Sequence, residues 1–206
     1  HIGVLKVLER ERVPIDFLAG TSMGGLVAAG YAVGMKPAEM EKEALTLRPR
    51  SLLDISIFST GVLEGKRVRE HLTRLLGNKT FAQTRIPLRL MAVDLLTGEE
   101  LVLGEGPLVD AVRATISVPG VFCPVDWQGR QLVDGGVTNN VPADVVRQMG
   151  AEVVIAVDVG HAQLPPFACG ELDGRRLALP GLARMTPLLA VLLRSVRIME
   201  TEILRH

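Results

Sequence analysis

The chain has 206 residues, 23 basic and 23 acidic side chains, 48% hydrophobic residues, and only five Phe, one Tyr and one Trp. At ~150 residues per domain this is one domain, long enough to enclose an aliphatic core, which excludes a disordered chain. The zero formal charge and scarcity of aromatics give phosphate backbones no field and bases few stacking faces, so nucleic acid is not an expected partner.

Apolar Ile2, Val4, Leu5, Val7 and Leu8, followed by charged Glu9 to Arg12, predict an amphipathic helix over residues 2–9 that ends before Pro14. Because His1 leads straight into that helix, the natural start is expected to lie upstream, and an absent leader says nothing of location. Residues 15–19 form a short apolar run that stops at Gly20, and residues 23–33 are rich in Ala, Leu and Gly. That order predicts strand, tight turn, helix.

Residues 36–47 and 66–76 carry helical periodicity, whereas 50–63 has no clear period. Two strands are predicted at 87–95 and 100–103 around the Thr97-Gly98 turn, then a helix with Pro107 at its first position and residues 111–116 continuing it. Leu132-Val133 leads into Asp134-Gly135-Gly136, residues 142–149 read as a helix, and 153–157 as a buried strand ending at Asp158. Alternating strands and helices predict an α/β three-layer sandwich with a mainly parallel central sheet.

Residues 161–187 read as loop and 188–204 as an amphipathic helix with no closing element after it, so the C-terminus is also expected to be trimmed. The apolar run 185–193, bounded by Arg184 and Arg194, is too short to span a bilayer. Cys123 and Cys169 lack the spacing of a zinc site or a redox pair and read as buried thiols in a reducing compartment. No metal cluster is visible in the sequence, and neither phosphate-loop pattern occurs, so a nucleotide site at Gly20 to Gly25 has little support.

Gly20-Thr21-Ser22-Met23-Gly24 is a G-x-S-x-G sequence placed after a strand and at the start of a helix. That setting lifts a serine hydroxyl out of a sharp turn, with glycines where Cβ atoms would collide. The helix N-terminus brings a partial positive charge, and the Met23 N–H is a natural donor to an oxyanion. A Gly-rich turn whose Ser only caps the helix is the competing reading.

A nucleophilic serine needs a base. His71 lies among charges on a helix face and reads as solvated, while His161, just past the 153–158 segment, fits the hydrolase order Ser, Asp, His. Asp134, followed by Gly135 and Gly136, is the best-placed carboxylate, with an ordinary turn as its alternative. Asp94 reads as a strand-end turn residue, and Asp158 as a loop-holding one.

Together His1-Ile2-Gly3-Val4-Leu5, Ala19 to Gly25, Ser117-Val118-Pro119-Gly120-Val121-Phe122 and Asp134 to Pro142 resemble the patatin-like phospholipases, in the family's order and over about the first 160 residues. The resemblance implies one catalytic domain across 1–206 that hydrolyses lipid acyl esters through an acyl-enzyme. It implies Ser22 as nucleophile, Asp134 as the base that takes its proton directly, and no cofactor. A free Asp is a weak base for an alcohol, so its pKa must be raised or the oxyanion bound well. The family's glycine-rich oxyanion loop lies just ahead of the segment matching His1-Ile2-Gly3, so the remaining donors are expected upstream of His1.

The expected partners are a lipid or acyl-ester substrate and a membrane surface touched peripherally, and the expected location is cytoplasmic or peripheral membrane. The alternative function is a noncatalytic lipid- or partner-binding module on the same fold, with Leu189, Leu192, Leu193 and Val196 as its contact stripe.

Overall fold

The computed structural model describes residues 1–48, 52, 54 and 63–160. The predicted loop 161–187, the helix 188–204, His161 and Cys169 lie outside the described residues, as does most of 50–63.

The chain opens with α1 (Ile2–Arg10), whose apolar side carries buried Leu5. After Pro14 comes β1 (Leu18–Gly20), shorter than the predicted 15–19 strand and shifted to its end, and then α2 (Ser22–Ala32). Helix α2 buries Gly25, Ala28, Ala29, Gly30 and Ala32. Small side chains let it lie close to the sheet, which is why this helix is apolar on nearly every side. Helix α3 (Pro37–Thr46) starts with Pro at its first position, and the Glu39 carboxylate accepts the Lys36 N–H at 2.9 Å.

Helix α4 (Lys66–Leu76) coincides with its predicted span and buries Val68, His71, Leu72 and Leu76. His71 is therefore not solvated as expected. It falls at the three-residue step of a helical apolar stripe and is only 7% exposed. Its Nδ1 lies 3.1 Å from Arg74 and its Nε2 3.7 Å from Glu43, and burial lowers its pKa.

Strands β2 (Leu88–Asp94) and β3 (Glu100–Leu103) form the predicted hairpin, followed by α5 (Leu108–Thr115) with Pro107 as its N-cap rather than its first helical residue. A hairpin that sequence reading missed, β4 (Val125–Trp127) with β5 (Arg130–Asp134), turns at Gln128 and Gly129, both at positive φ. Helix α6 (Ala143–Gln148) follows.

The sheet order is β1-β2-β5-β4, with β3 also on β2. The α/β class holds. Among the described residues, however, the sheet is mixed rather than mainly parallel: β1 with β2 is parallel, and β2 with β3, β2 with β5 and β4 with β5 are antiparallel. Short connections account for two of these pairs, β2 with β3 and β4 with β5, since strands joined by a tight turn can only pair antiparallel.

Leu88, Leu90 and Ala92 of β2 enter the core formed with α2, α4 and α5, while Met91 and Val93 on the opposite face are buried too. Cover on both faces of the central strand is what a layered sandwich requires.

The 153–157 segment is not a buried strand. Val153 is 81% and Ile155 56% exposed, and neither pairs in the sheet. An apolar run needs a ladder partner to become a strand. Here Val153 and Ile155 instead line, together with Leu18 and Ala19 of β1, a cavity of about 850 Å³. Cys123, expected to be buried, is half-buried.

Candidate active site

Strand β1 enters α2 through Gly20, Thr21 and Ser22, and Ser22 takes a positive φ of 52° although it has a side chain. A non-glycine residue in this region is strained by about 1–3 kcal/mol and persists only when its surroundings hold it. Two hydrogen bonds do so. The Ser22 N–H donates to Thr115 Oγ1 at 3.0 Å, and the Thr21 hydroxyl donates to the Asn139 carbonyl at 2.7 Å.

Gly20 is required by close approach, since a Cβ there would stand 2.7 Å from the backbone of Gly24 and Gly25. The result is a half-buried Ser22 hydroxyl at the head of α2, beside first-turn N–H groups, Met23 and Gly24, that helix geometry leaves without an i−4 partner. The Met23 side chain itself is 59% exposed.

Asp134 ends β5, where it lies opposite Ala92 of β2. Its N–H donates to the Ser117 carbonyl at 3.0 Å, and its Oδ1 accepts the Gly136 N–H at 2.8 Å. Its neighbour Gly135 packs so tightly on Met91 that a Cβ would come within 2.5–2.7 Å of the Met91 Cβ and backbone. Asp134 is 4% exposed, and the Ser22 side chain favours the ionised form of its carboxyl. Burial raises the Asp134 pKa to about 6, and Ser22 and the Gly136 N–H pull in the opposite direction without cancelling it.

The structure thus brings together Ser22, Asp134 and the Met23 N–H, with Gly20, Gly24, Gly135 and Gly136 shaping the backbone around them. Gly24 faces His1, whose Nε2 would lie 3.3 Å from a Cβ at that position. Asp94 is a turn residue as expected, its carboxylate accepting the Leu96 N–H at 2.9 Å, and Asp158 likewise accepts the Gly160 N–H at 2.7 Å. Among the described residues no cluster of His, Cys, Asp and Glu could hold a metal ion. A buried carboxyl of raised basicity beside a hydroxyl at a helix N-terminus can take a proton from that hydroxyl when it attacks an electrophile.

Sequence reading missed the support behind this pair. The turn that closes α5 supplies Thr115 to Ser22 and the Ser117 carbonyl to Asp134. Arg113, only 4% exposed, donates to Ser117 Oγ at 2.6 Å, to the Glu64 carbonyl at 3.0 Å and to the Cys123 carbonyl at 3.2 Å, and lies 4.6 Å from the Phe122 ring centroid. The one signal available was the Ser117 to Phe122 segment, which locates the turn but not what it holds.

Comparison with known proteins gives a consistent result. The model of the patatin-like phospholipase family matches residues 1–147. An NTE family protein of Mycobacterium tuberculosis is 34% identical over 169 residues, which cover 81% of this chain and 47% of that protein. Patatin-like phospholipase domain-containing protein 6 of Homo sapiens is 33% identical over 168 residues, 78% of this chain and 12% of that protein. A patatin-like phospholipase domain-containing protein of Caenorhabditis elegans is 34% identical over 171 residues, 79% of this chain and 13% of its own length. The chain therefore spans about half the length of its mycobacterial relative, and less of the animal ones.

Proposed function

The chain belongs to the patatin-like phospholipase family, and from that premise we propose that it is a serine hydrolase of lipid acyl esters, of phospholipase A or lysophospholipase type, working through a Ser22–Asp134 dyad. The observation that carries this reading is the pairing of Ser22, held at positive φ where β1 turns into α2, with the buried carboxyl of Asp134, whose ionised form the Ser22 side chain favours.

Asp134 accepts the hydroxyl proton as Ser22 Oγ attacks the ester carbonyl, and the negative charge that develops on the carbonyl oxygen is met by the Met23 N–H and the N-terminal end of α2. Collapse of the tetrahedral adduct breaks the C–O bond to the leaving alcohol, which takes the proton from Asp134 and leaves an acyl ester on Ser22. Water then attacks that ester, giving its proton to Asp134. The acid departs and the proton returns to Ser22 Oγ. Each step is balanced by one proton moving between Asp134 and an oxygen, and no cofactor takes part.

Contact with a lipid surface is part of the proposal. Strands β1 and β2 run parallel, so exposed Leu95 and Leu96 beyond β2 and exposed Met23 beyond β1 lie at one end of the sheet, where an acyl ester would have to arrive. No helix among the described residues is long and apolar enough to cross a membrane.

The deciding experiment compares fluorophosphonate labelling and hydrolysis of phospholipid and lysophospholipid vesicles by the wild type, Ser22→Ala, Asp134→Asn and His161→Ala. Loss of turnover in the first two variants with retention in the third is expected. Retained turnover in Asp134→Asn with loss in His161→Ala would replace the dyad by a triad. Vesicle binding with no turnover in any form would leave a binding module.

A further inference from the structure

We propose that Thr115 is a positioning residue, whose hydroxyl sets the Ser22 side chain against Asp134. The inference rests on the dyad reading above and extends it to a residue outside the dyad.

The backbone at Ser22 is the starting point. Its φ of 52° is a conformation that relaxes unless held, and its N–H, in the first turn of α2, has no acceptor within the helix. The acceptor is a side chain 93 positions along the chain, Thr115 Oγ1 at 3.0 Å.

Thr115 is fully buried, and its two branches are both used. The hydroxyl takes the Ser22 N–H, while the methyl lies 3.0 Å from where a Cβ on Gly25 would be. A β-branched side chain at a helix end has few χ1 choices, so the oxygen is presented from a fixed direction.

The same turn holds the other half of the pair. Two residues on, the Ser117 carbonyl accepts the Asp134 N–H at 3.0 Å. That turn is itself clamped, because Arg113 donates to Ser117 Oγ while Ser117 Oγ donates back to the Arg113 carbonyl at 2.8 Å. Ser22 and Asp134 are thus hung from neighbouring points of one rigid turn. The Ser117 anchor is a backbone oxygen; the Thr115 anchor is a side chain and can be removed.

The charged groups on the elements around Asp134 have other partners. On α5, Asp110 pairs with Arg69 and Arg113 bonds Ser117, Glu64 and Cys123. On β2, Arg89 donates to the Leu88 carbonyl and Asp94 accepts the Leu96 N–H and lies 3.6 Å from Arg130 of β5. Tyr31 of α2 is engaged with Glu9. Ser22 and the Gly136 N–H are the two groups that hold the Asp134 pKa down, so displacing Ser22 leaves a signature in the pH profile.

The test uses the full chain with Thr115→Val, Thr115→Ala and Thr115→Ser, read by kcat and KM on p-nitrophenyl butyrate, by the pH profile, and by the rate of fluorophosphonate labelling at Ser22. Thr115→Val is nearly isosteric and removes the acceptor. It is expected to lower kcat ~10- to 100-fold with KM within ~3-fold, as a displaced reacting group does. It is also expected to move the acid limb to higher pH. Thr115→Ser restores the acceptor, and with it kcat to within ~3-fold of wild type and the wild-type limb.

Equal kcat and an equal limb in Thr115→Val and Thr115→Ser would overturn the proposal. So would a loss in Thr115→Val that tracks the fraction of unfolded protein by circular dichroism and leaves the limb in place. If Thr115→Val does not fold, Thr115→Ala against Thr115→Ser isolates the hydroxyl in the same way, and equal rates there reject it. Failure of the dyad reading is separately visible as wild-type turnover in Asp134→Asn. The labelling rates of the Thr115 variants report the placement of Ser22 in either case.

Discussion

The Thr21 hydroxyl donates to the Asn139 carbonyl at 2.7 Å, which ties the turn before Ser22 to the loop beyond Asp134. With the Ser22 N–H on Thr115, the elbow is held from two sides, and the carboxyl is delivered to it from the strand end between them. The geometry makes several outcomes measurable.

Turnover should fall on the acid side with a limb near pH 6, the value to which burial raises the Asp134 pKa. Below it the carboxyl carries a proton and cannot take one from Ser22; above it the carboxylate is available. The dependence of kcat/KM on pH, fitted to one ionisation, measures this. A limb near 4, where an exposed Asp titrates, would contradict the buried-base account.

Asp134→Asn should stabilise the fold while abolishing turnover. In the folded chain the Asp134 pKa stands near 6 against 3.8 for the free group, so the fold binds that proton more tightly than the unfolded chain does. The resulting stabilisation is complete below about pH 4 and is lost as the pH rises through 6. At pH 8 the ionised carboxylate then costs on the order of 2–3 kcal/mol, which the neutral amide avoids. Urea unfolding of both proteins at pH 8 and pH 4 should show a gain at the first and little difference at the second.

Gly20→Ala and Gly135→Ala should each destabilise by ~1–3 kcal/mol or more and remove activity, because the added Cβ meets backbone at under 3 Å and not the yielding end of a side chain. Gly98→Ala has open space, so only its positive φ opposes the change, and it should keep turnover. Midpoints of urea unfolding together with esterase assays separate the two kinds of glycine.

Arg113→Met should lower stability by ~3 kcal/mol or more, since three acceptors lose a charged donor in a buried place. Arg113→Lys should recover only part of it. A single ammonium cannot reproduce the planar fork that reaches Ser117, Glu64 and Cys123 at once, nor lie as flat over Phe122. Thermal melts of the pair check this.

How far the sequence was legible depends on whether a signal was local. The 3.6-residue stripe of α4 and the alternation around Thr97-Gly98 are local, and both elements lie where they were expected. The turn from β1 to α2 was legible for the same reason, its glycines being required within five residues. The β4–β5 hairpin was missed because three residues from Val125 to Trp127 are too few to show a period. His71 was misjudged because its charged neighbours Arg67 and Glu70 outweighed its place on the apolar stripe.

Residues 153–157 show the limit most plainly. Their apolar content is local, but pairing depends on a partner, and none of these residues pairs in the sheet. Thr115 and Arg113 were invisible for a related reason: what they hold is set by tertiary folding, and nothing in their immediate neighbours announces it.

The hydrogen bonds at the elbow join positions 93 and 118 apart in the chain. Contacts of such separation must wait until the loops between them have closed, which is the slow and entropically costly part of folding. An intermediate with its helices and hairpins formed, but β1 and β5 not yet both docked on β2, would hold every residue of the site and none of its chemistry. The reactivity of Ser22 during refolding is therefore a clock for completed topology, and it should appear later than the helical signal of the same chain.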